Sequence, residues 1–78
     1  MDFKERISVN FTNLTKTDKK IYNCLLEHPD YLINHNVQDA AQLIETSPAA
    51  LVRLAKKIGY KGLPDLKIGL EESSQKNQ

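Results

Sequence analysis

The strongest constraint on the fold of this chain is a pair of apolar repeats that follow each other between residues 36 and 59. Each repeat places small or aliphatic residues at positions i, i+3, i+4 and i+7, which is the spacing of one face of an α-helix. The first repeat consists of Val37, Ala40, Ala41 and Ile44, and the second consists of Leu51, Leu54, Ala55 and Ile58. The sequence therefore predicts two consecutive amphipathic helices joined by a short turn.

Both ends of the second helix carry clear signals. Ser47 can accept a backbone N–H at the helix start, and Pro48 loses no hydrogen bond at the first helical position. At the other end, two lysines in the last turn suit the helix dipole, and Gly59 can adopt the left-handed conformation that ends a helix. We expect this helix to span residues 48–58.

The spacing between the two helices is typical of a helix-turn-helix. Ala41 is small enough for the helices to cross closely, and Leu51 and Leu54 follow at the positions that fill the crossing. The commonest pattern has Gly in the turn four positions after the small residue, where φ is positive, and this chain has Glu45 there. A non-Gly residue in that conformation costs about 1 kcal/mol, which a packed helix pair can offset.

The side of the second helix that is predicted to face outward, opposite its apolar repeat, predicts contact with DNA. Its residues are Pro48, Ala49, Ala50, Arg53, Lys56 and Lys57. Small side chains at the helix start let a helix enter the major groove, where Ala methyl groups contact thymine methyls and Arg pairs with guanine. Arg53 is therefore the candidate for a base contact. We expect Ser47, with the free N–H groups of the helix start, to bind a phosphate. We expect Lys57 and Lys61 to bind phosphates too.

The charge distribution supports this interpretation. Residues 47–67 contain five cations and one anion, a net charge of +4, whereas the whole chain carries +1 and the remainder −3. A basic stretch centred on the proposed reading helix is the electrostatic pattern expected of a nucleic-acid-binding protein. The alternative is that these lysines form only a solvated helix face.

The other segments predict an all-α fold, a compact bundle of about five helices with one extra turn at residues 30–33. Near the N-terminus, Phe3, Ile7 and Phe11 recur every fourth residue and predict a short amphipathic helix. Thr15 and Asp18 resemble a capping box that opens a helix ending before Pro29.

A last helix is predicted to start at Leu63, Pro64 and Asp65, with Leu66 and Leu70 facing inward. We divide the chain into a helix-turn-helix domain at residues 1–72 and a polar tail or linker at residues 73–78.

Size and composition exclude several classes of protein. The 78 residues suffice for one small domain, and the single Cys rules out an internal disulfide. The sequence lacks an apolar run long enough to cross a membrane and a signal-peptide pattern, so we expect a cytoplasmic protein. No motif predicts a cofactor.

The stretch from LTKTDKK to GLPDLK resembles the N-terminal domain of RpiR-type transcriptional regulators. The segment before Pro29, the SPAALVRLAKKIGY helix and the following KGLPDLK carry the resemblance most specifically. It implies a fragment of a bacterial repressor or activator of sugar-catabolic genes. Such a regulator acts as a dimer or higher oligomer and has a sugar isomerase-type domain that binds a phosphosugar effector. Two positions depart from the family pattern, Glu45 in the turn and Ala50, where a hydroxyl residue often faces DNA.

An enzymatic role has little support. Cys24, His28 and His35 are close in sequence, and Cys with His can form a nucleophilic pair or bind zinc. However, no third group orients such a pair, four zinc ligands are not present, and Cys24 lies on an apolar stripe where free Cys is usually a core residue. We predict that the chain is not an enzyme.

A small helical protein-interaction or dimerisation module is the alternative function. The stripe of Phe3, Ile7 and Phe11, together with Tyr60 and Leu63, would supply an apolar surface for a partner. Core packing and a dimer contact through the first helix are two further interpretations of the stripe. Salt dependence separates the alternatives, because phosphate binding weakens steeply with salt and apolar binding does not.

Overall fold

A computed structural model of the chain describes residues 2–75, which contain six α-helices and one short 3-10 helix and no strand. The α-helices are α1 (Phe3–Val9), α2 (Lys16–Glu27), α3 (Asp30–Ile33), α4 (Val37–Ile44), α5 (Pro48–Lys57) and α6 (Leu63–Gln75). The 3-10 helix, Phe11–Asn13, lies between α1 and α2. The all-α prediction is confirmed, and the single turn α3 is the extra turn expected at residues 30–33.

Side-chain caps fix where α1, α2, α4 and α5 begin. Thr15 Oγ1 accepts the Asp18 N–H and Asp18 accepts the Thr15 N–H, which is the predicted capping box of α2. Asn36 Oδ1 accepts the Asp39 N–H at 2.8 Å and caps α4. Each cap satisfies a backbone donor that has no partner within its own helix, so these starts are set by local sequence.

One hydrophobic core lies between the helices and holds α4 and α5 in place. Its largest side chains with almost no exposure are Phe3, Ile21, Leu25, Leu32, Leu51, Leu54, Ile58 and Leu66. Ala41 is also buried, as the close crossing of α4 and α5 requires. The apolar faces predicted for α4 and α5 are therefore the packed faces, except that Val37 is only half-buried.

The turn between α4 and α5 has the predicted left-handed residue. Glu45 has φ 64° and ψ 48°, and it is the one non-Gly residue with positive φ among residues 2–75. A backbone hydrogen bond also stabilises the turn, in which the Thr46 N–H donates to the Ala41 carbonyl at 2.8 Å. The helix-turn-helix geometry is thus formed without the usual Gly, and Glu45 bears the steric cost.

Replacing Glu45 by Gly is expected to stabilise the domain. Glycine removes the Cβ clash of the left-handed conformation but gains freedom in the unfolded chain, so the net gain is about 0.5–1 kcal/mol. Urea denaturation of the wild type and the Glu45→Gly variant measures this difference. Glu45→Ala is the control, because it removes the same charge and keeps the Cβ. If the Ala variant were stabilised as much as the Gly variant, charge and not backbone strain would be the cause.

Two expectations outside the helix-turn-helix need revision. Phe11 does not continue the apolar stripe of α1, because α1 ends at Val9 and the 3-10 helix turns Phe11 outward, where it is 44% exposed. Phe3, Ile7 and Tyr60 are core residues, so three of the five residues of the proposed partner surface are unavailable. The last helix extends through Gln75, into the segment for which we predicted a tail, and the end of that segment, residues 76–78, lies outside the described residues.

No helix within residues 2–75 combines the length and the apolar character needed to cross a membrane.

Candidate nucleic-acid interface

The outward face of α5 is exposed over its full length. Pro48, Ala49, Arg53 and Lys56 are all exposed, while Leu51, Leu54 and Ala55 on the opposite face have no measurable exposure. The apolar spacing thus buries one side of the helix and leaves the other side free. The free side is small near its start and cationic farther along, as the sequence predicted.

Ser47 organises the start of α5. Its Oγ accepts the Ala50 N–H at 3.2 Å, and Pro48 occupies the first turn. The hydroxyl hydrogen of Ser47 is still available to donate, and the side chain is exposed. A phosphate at this helix start would meet that hydroxyl together with the positive end of the helix dipole.

Ala50 does not face outward, and that prediction is wrong. Its side chain is only 6% exposed and belongs to the core. Ala50 lies one turn before Leu54 and therefore at the edge of the buried face of α5. The apolar arc of α5 is therefore wider than the repeat alone indicated, and Ala49 is the alanine whose methyl group is exposed at the start of the helix.

Lys57 also differs from the sequence expectation. Its Nζ lies 2.6 Å from Oδ2 of Asp18 on α2, and the Lys57 side chain is 37% exposed while that of Asp18 is 9% exposed. Ala50 and Lys57 are seven residues apart, so both lie on the side of α5 that faces α2. Lys57 consequently links the two helices at the border of the exposed face, instead of projecting from its middle.

The ion pair changes the titration of Asp18. Burial favours the neutral carboxyl, but hydrogen bonds from Lys57 and Thr15 outweigh it and hold the pKa of Asp18 below its ordinary value of 3.8. A lowered folded-state pKa gives stability that is present above the unfolded-state pKa and is lost as the pH falls through the folded-state value. Asp18 therefore contributes to stability at neutral pH and not in acid.

Asp18→Asn is expected to destabilise the domain by about 1 kcal/mol at pH 7, a modest value because Lys57 is partly solvated. The difference from wild type should shrink as the pH falls below 3.8, because the Asp18 carboxyl becomes protonated as the pH falls through its lowered folded-state pKa. Urea denaturation from pH 7 to pH 2 measures it. Asp39→Asn is the matched control, since Asp39 holds the same position in α4 but is exposed. A pH-independent loss in Asp18→Asn would contradict the ion-pair explanation.

The C-terminal end of α5 is held by a residue that the sequence analysis did not identify. Arg6 on α1 donates from Nη1 to the Ile58 carbonyl at 3.3 Å, and its guanidinium lies 4.2 Å from the centre of the Tyr60 ring. Burial raises the pKa of the Tyr60 hydroxyl, although Arg6 opposes that shift. Arg6 and Tyr60 thus fix the end of α5 against α1, and a contact between residues 52 positions apart leaves no local sequence signal.

The loop after α5 adds one further cation to the same end of the helix. Gly59 has φ 93° and completes the reversal, as predicted. Lys61 follows with an exposed side chain, and its backbone N–H donates to Oδ2 of Asp65 at 3.0 Å. The Lys61 ammonium is therefore placed beyond the end of α5 by an ordered turn.

The Cys and His residues do not form a site in the described part of the chain. Residues 2–75 contain no group of three His, Cys, Asp or Glu side chains that could hold a metal ion. His28 stacks on Tyr31 with ring centres 4.7 Å apart. Burial, followed by the charges of Glu27 and Glu45, raises the pKa of the Cys24 thiol, which disfavours the reactive thiolate.

Comparison with known proteins agrees with this geometry. The family model of the helix-turn-helix domain, rpiR family, matches residues 1–77. The chain is 37% identical over 68 residues to the uncharacterized HTH-type transcriptional regulator YfhH of Escherichia coli, a match covering 87% of this chain and 24% of that protein. It is 32% identical over 75 residues to an uncharacterized HTH-type transcriptional regulator of Haemophilus influenzae, covering 94% and 26%.

A third relative has a different name. The bifunctional protein glk of Paraburkholderia xenovorans is 30% identical over 66 residues, which cover 85% of this chain and 10% of that protein. The chain thus spans about a quarter or less of the length of these relatives.

Proposed function

The chain belongs to the rpiR family of helix-turn-helix domains, and from that premise we propose that it binds duplex DNA sequence-specifically, with α5 in the major groove. The observation that carries this proposal is the exposed cationic face of α5, which lies opposite a completely buried face. Helix-turn-helix domains place their second helix in the major groove, with residues near its start at the base edges. Here the start is small and sterically open.

The residues of the exposed face divide into two roles. Arg53 reads a base, since its guanidinium can donate two hydrogen bonds to guanine O6 and N7, and Ala49 offers a methyl group to thymine. Pro48 and Ala49 also allow close approach of the helix to the groove floor. The rest of the interface binds phosphates, through the Ser47 hydroxyl, the helix start, Lys56 and Lys61. Lys57, which is held by Asp18, lies at the edge of this surface.

The biological setting is a wider proposal. We place the domain in a bacterial regulator of genes for sugar or phosphosugar metabolism, acting in the cytoplasm as a dimer or higher oligomer. The family resemblance supports this, and the length of the relatives supports an effector-binding domain elsewhere in the full protein. A symmetric dimer would present two α5 helices about 34 Å apart and would require a palindromic operator.

Amide NMR signals of residues 47–61 test the DNA-binding proposal. A random-sequence duplex is titrated into the chain at 50 mM and 200 mM KCl, chosen because phosphate contacts weaken steeply over about this range. We expect salt-sensitive shifts centred on Ser47, Arg53 and Lys61. Random duplex should bind at about 10⁻⁴–10⁻⁶ M or more weakly at physiological salt.

The opposite result would be equally informative. Signals that stay unmoved at low salt would overturn the proposal and favour the protein-interaction module. Salt-insensitive shifts at the end of α1 and in the following 3-10 helix upon addition of a second protein would then identify the surface, with Val9 and Phe11 as the exposed apolar residues to examine.

A further inference from the structure

Lys57 starts from a position that suits DNA contact, but its ammonium is held by another helix. It follows Arg53 by four residues, so the two side chains leave neighbouring turns on the same side of α5. A lysine stem at this position is long enough to extend toward the DNA backbone beside the groove that Arg53 enters. In the structure the stem turns to α2 instead, and Nζ lies 2.6 Å from Oδ2 of Asp18.

Asp18 is fixed in place independently of Lys57. Its Oδ2 accepts the Thr15 N–H at 3.0 Å and its backbone N–H donates to Thr15 Oγ1 at 3.1 Å, so the capping box sets the direction of the carboxylate. Burial opposes ionisation, but hydrogen bonds from Lys57 and Thr15 keep the pKa of Asp18 below its ordinary value, so the carboxyl is charged at neutral pH. If Lys57 left, a buried anion would lose its cation, which is unfavourable.

The other cations of the exposed face have no such partner. In the part of the chain that the structure describes, the pair of Lys57 and Asp18 is the only ion pair. Arg53, Lys56 and Lys61 are exposed, and their charged groups lie on no carboxylate. The ion pair therefore subtracts one positive charge from the face at its border with α2.

We propose that Asp18 limits the affinity of the domain for DNA by holding Lys57 away from the phosphates. The ion pair stays closed in the complex, and the DNA backbone is bound by Lys56, Lys61 and the start of α5. This inference rests on the proposed function and adds to it a residue that acts through Lys57 and does not itself touch DNA. Because phosphate contacts carry no sequence information, the limit applies to all duplexes alike.

The salt dependence of binding to a fluorescein-labelled random-sequence duplex tests the inference. Fluorescence anisotropy is measured at about 50, 100 and 200 mM KCl, a range in which each phosphate contact adds about 0.9 to the slope of log Kd against log salt. Asp18→Asn releases Lys57, so it should tighten binding by about 5-fold at 100 mM KCl and increase the slope by about 0.9. A loss of folded protein would weaken binding, so reduced stability cannot produce this gain.

Two further variants separate the release of Lys57 from a general change in charge. The double variant Asp18→Asn with Lys57→Gln replaces the ion pair by two neutral amides, so Kd should stay within about 2-fold of wild type and the slope should not change. Glu27→Gln is the charge-matched control for Asp18→Asn. Glu27 is exposed and lies about 13 Å from Asp18 along α2, beyond the screening length of about 10 Å at 100 mM salt. Its substitution should change Kd by less than about 2-fold.

The lysine Nζ signals of the wild type supply a test that needs no substitution. The duplex is titrated at about 50 mM KCl, where phosphate contacts are strong. The signals of Lys56 and Lys61 should move, whereas the Lys57 signal should keep its position in the DNA-free protein.

The outcomes also separate this inference from the proposed function. If Asp18→Asn keeps the wild-type slope, or if the double variant loses about 0.9 of it, Lys57 already binds a phosphate in the wild type. Either result, or a Lys57 Nζ shift as large as that of Lys61, overturns the inference and leaves the proposed function standing. If the wild type shows no salt-dependent binding, both proposals are overturned.

Discussion

Replacing Gly69 by alanine is expected to destabilise the domain by about 1–2 kcal/mol, although the same change in most helices is stabilising by about 1 kcal/mol. A Cβ at Gly69 would overlap the hydroxyl oxygen of Tyr60 and would lie 2.8 Å from its Cζ and 2.9 Å from its Cε1. The Tyr60 ring is 6% exposed and lies against Arg6, so it has little room to move. The clash should therefore outweigh the gain in helix propensity. Urea denaturation measures the result.

The effect of Gly69→Ala should extend to the proposed reading helix. A displaced Tyr60 ring would disturb Arg6, whose Nη1 donates to the Ile58 carbonyl just after α5. Amide hydrogen exchange near the end of α5 should accordingly become faster in the variant, as local opening becomes easier.

A second substitution identifies the cause. The Tyr60 hydroxyl is buried and has no hydrogen-bond partner among residues 2–75, so Tyr60→Phe alone should change stability by less than about 0.5 kcal/mol or increase it. In the Gly69→Ala background, Tyr60→Phe removes the worst overlap and should restore at least about 0.5 kcal/mol. Strictly additive effects would contradict a direct clash between the two residues.

The features that the sequence predicted are those encoded within one turn of helix. The Thr15 and Asp18 capping box, the Ser47 cap and the left-handed Glu45 each depend on residues at most a few positions apart. Backbone donors at a helix start need local acceptors, and a reversal between two crossing helices needs one residue with positive φ. Such requirements leave a readable signal even in a single sequence.

The features that the sequence missed depend on the packing between helices. A repeat of apolar residues gives the centre of the buried face of α5 but not its width, and Ala50 at the edge of the repeat is buried as well. Helix α2 provides Asp18 for Lys57, a partner 39 positions away.

The end of the α1 stripe shows a different limit. Phe3, Ile7 and Phe11 keep helical spacing, yet the chain leaves α1 after Val9 and enters a 3-10 helix. Asn10, with its side-chain amide donating to the Arg6 carbonyl at 2.8 Å, satisfies an acceptor at the end of the helix. Competition between a polar side chain and the helix backbone is a local event that apolar spacing does not report.

Arg53→Ala is expected to lose sequence discrimination more than affinity in general. Operator sequences are first selected from a random duplex library with the wild-type protein, and Kd is then measured for selected and random duplexes. A bidentate pair with guanine is worth about 1–3 kcal/mol, so Arg53→Ala should bind selected DNA about 5- to 150-fold more weakly than wild type. The variant should lose much less affinity for random DNA, because there the substitution removes only the electrostatic attraction between Arg53 and the phosphates. Duplexes selected with the variant should also show a weaker base preference at one base pair than duplexes selected with the wild type.

Lys56→Ala is the matched control for this measurement, since Lys56 lies on the same exposed face, one turn along from Arg53. A lysine that contacts phosphate contributes equally to all duplexes, so Lys56→Ala should weaken binding to selected and random DNA by the same factor. Lys57 is less suitable, because its removal also breaks the ion pair with Asp18 and destabilises the domain. If Arg53→Ala lost the same affinity for selected and random duplexes, Arg53 would not read a base. Specificity would then have to come from the small residues at the start of α5.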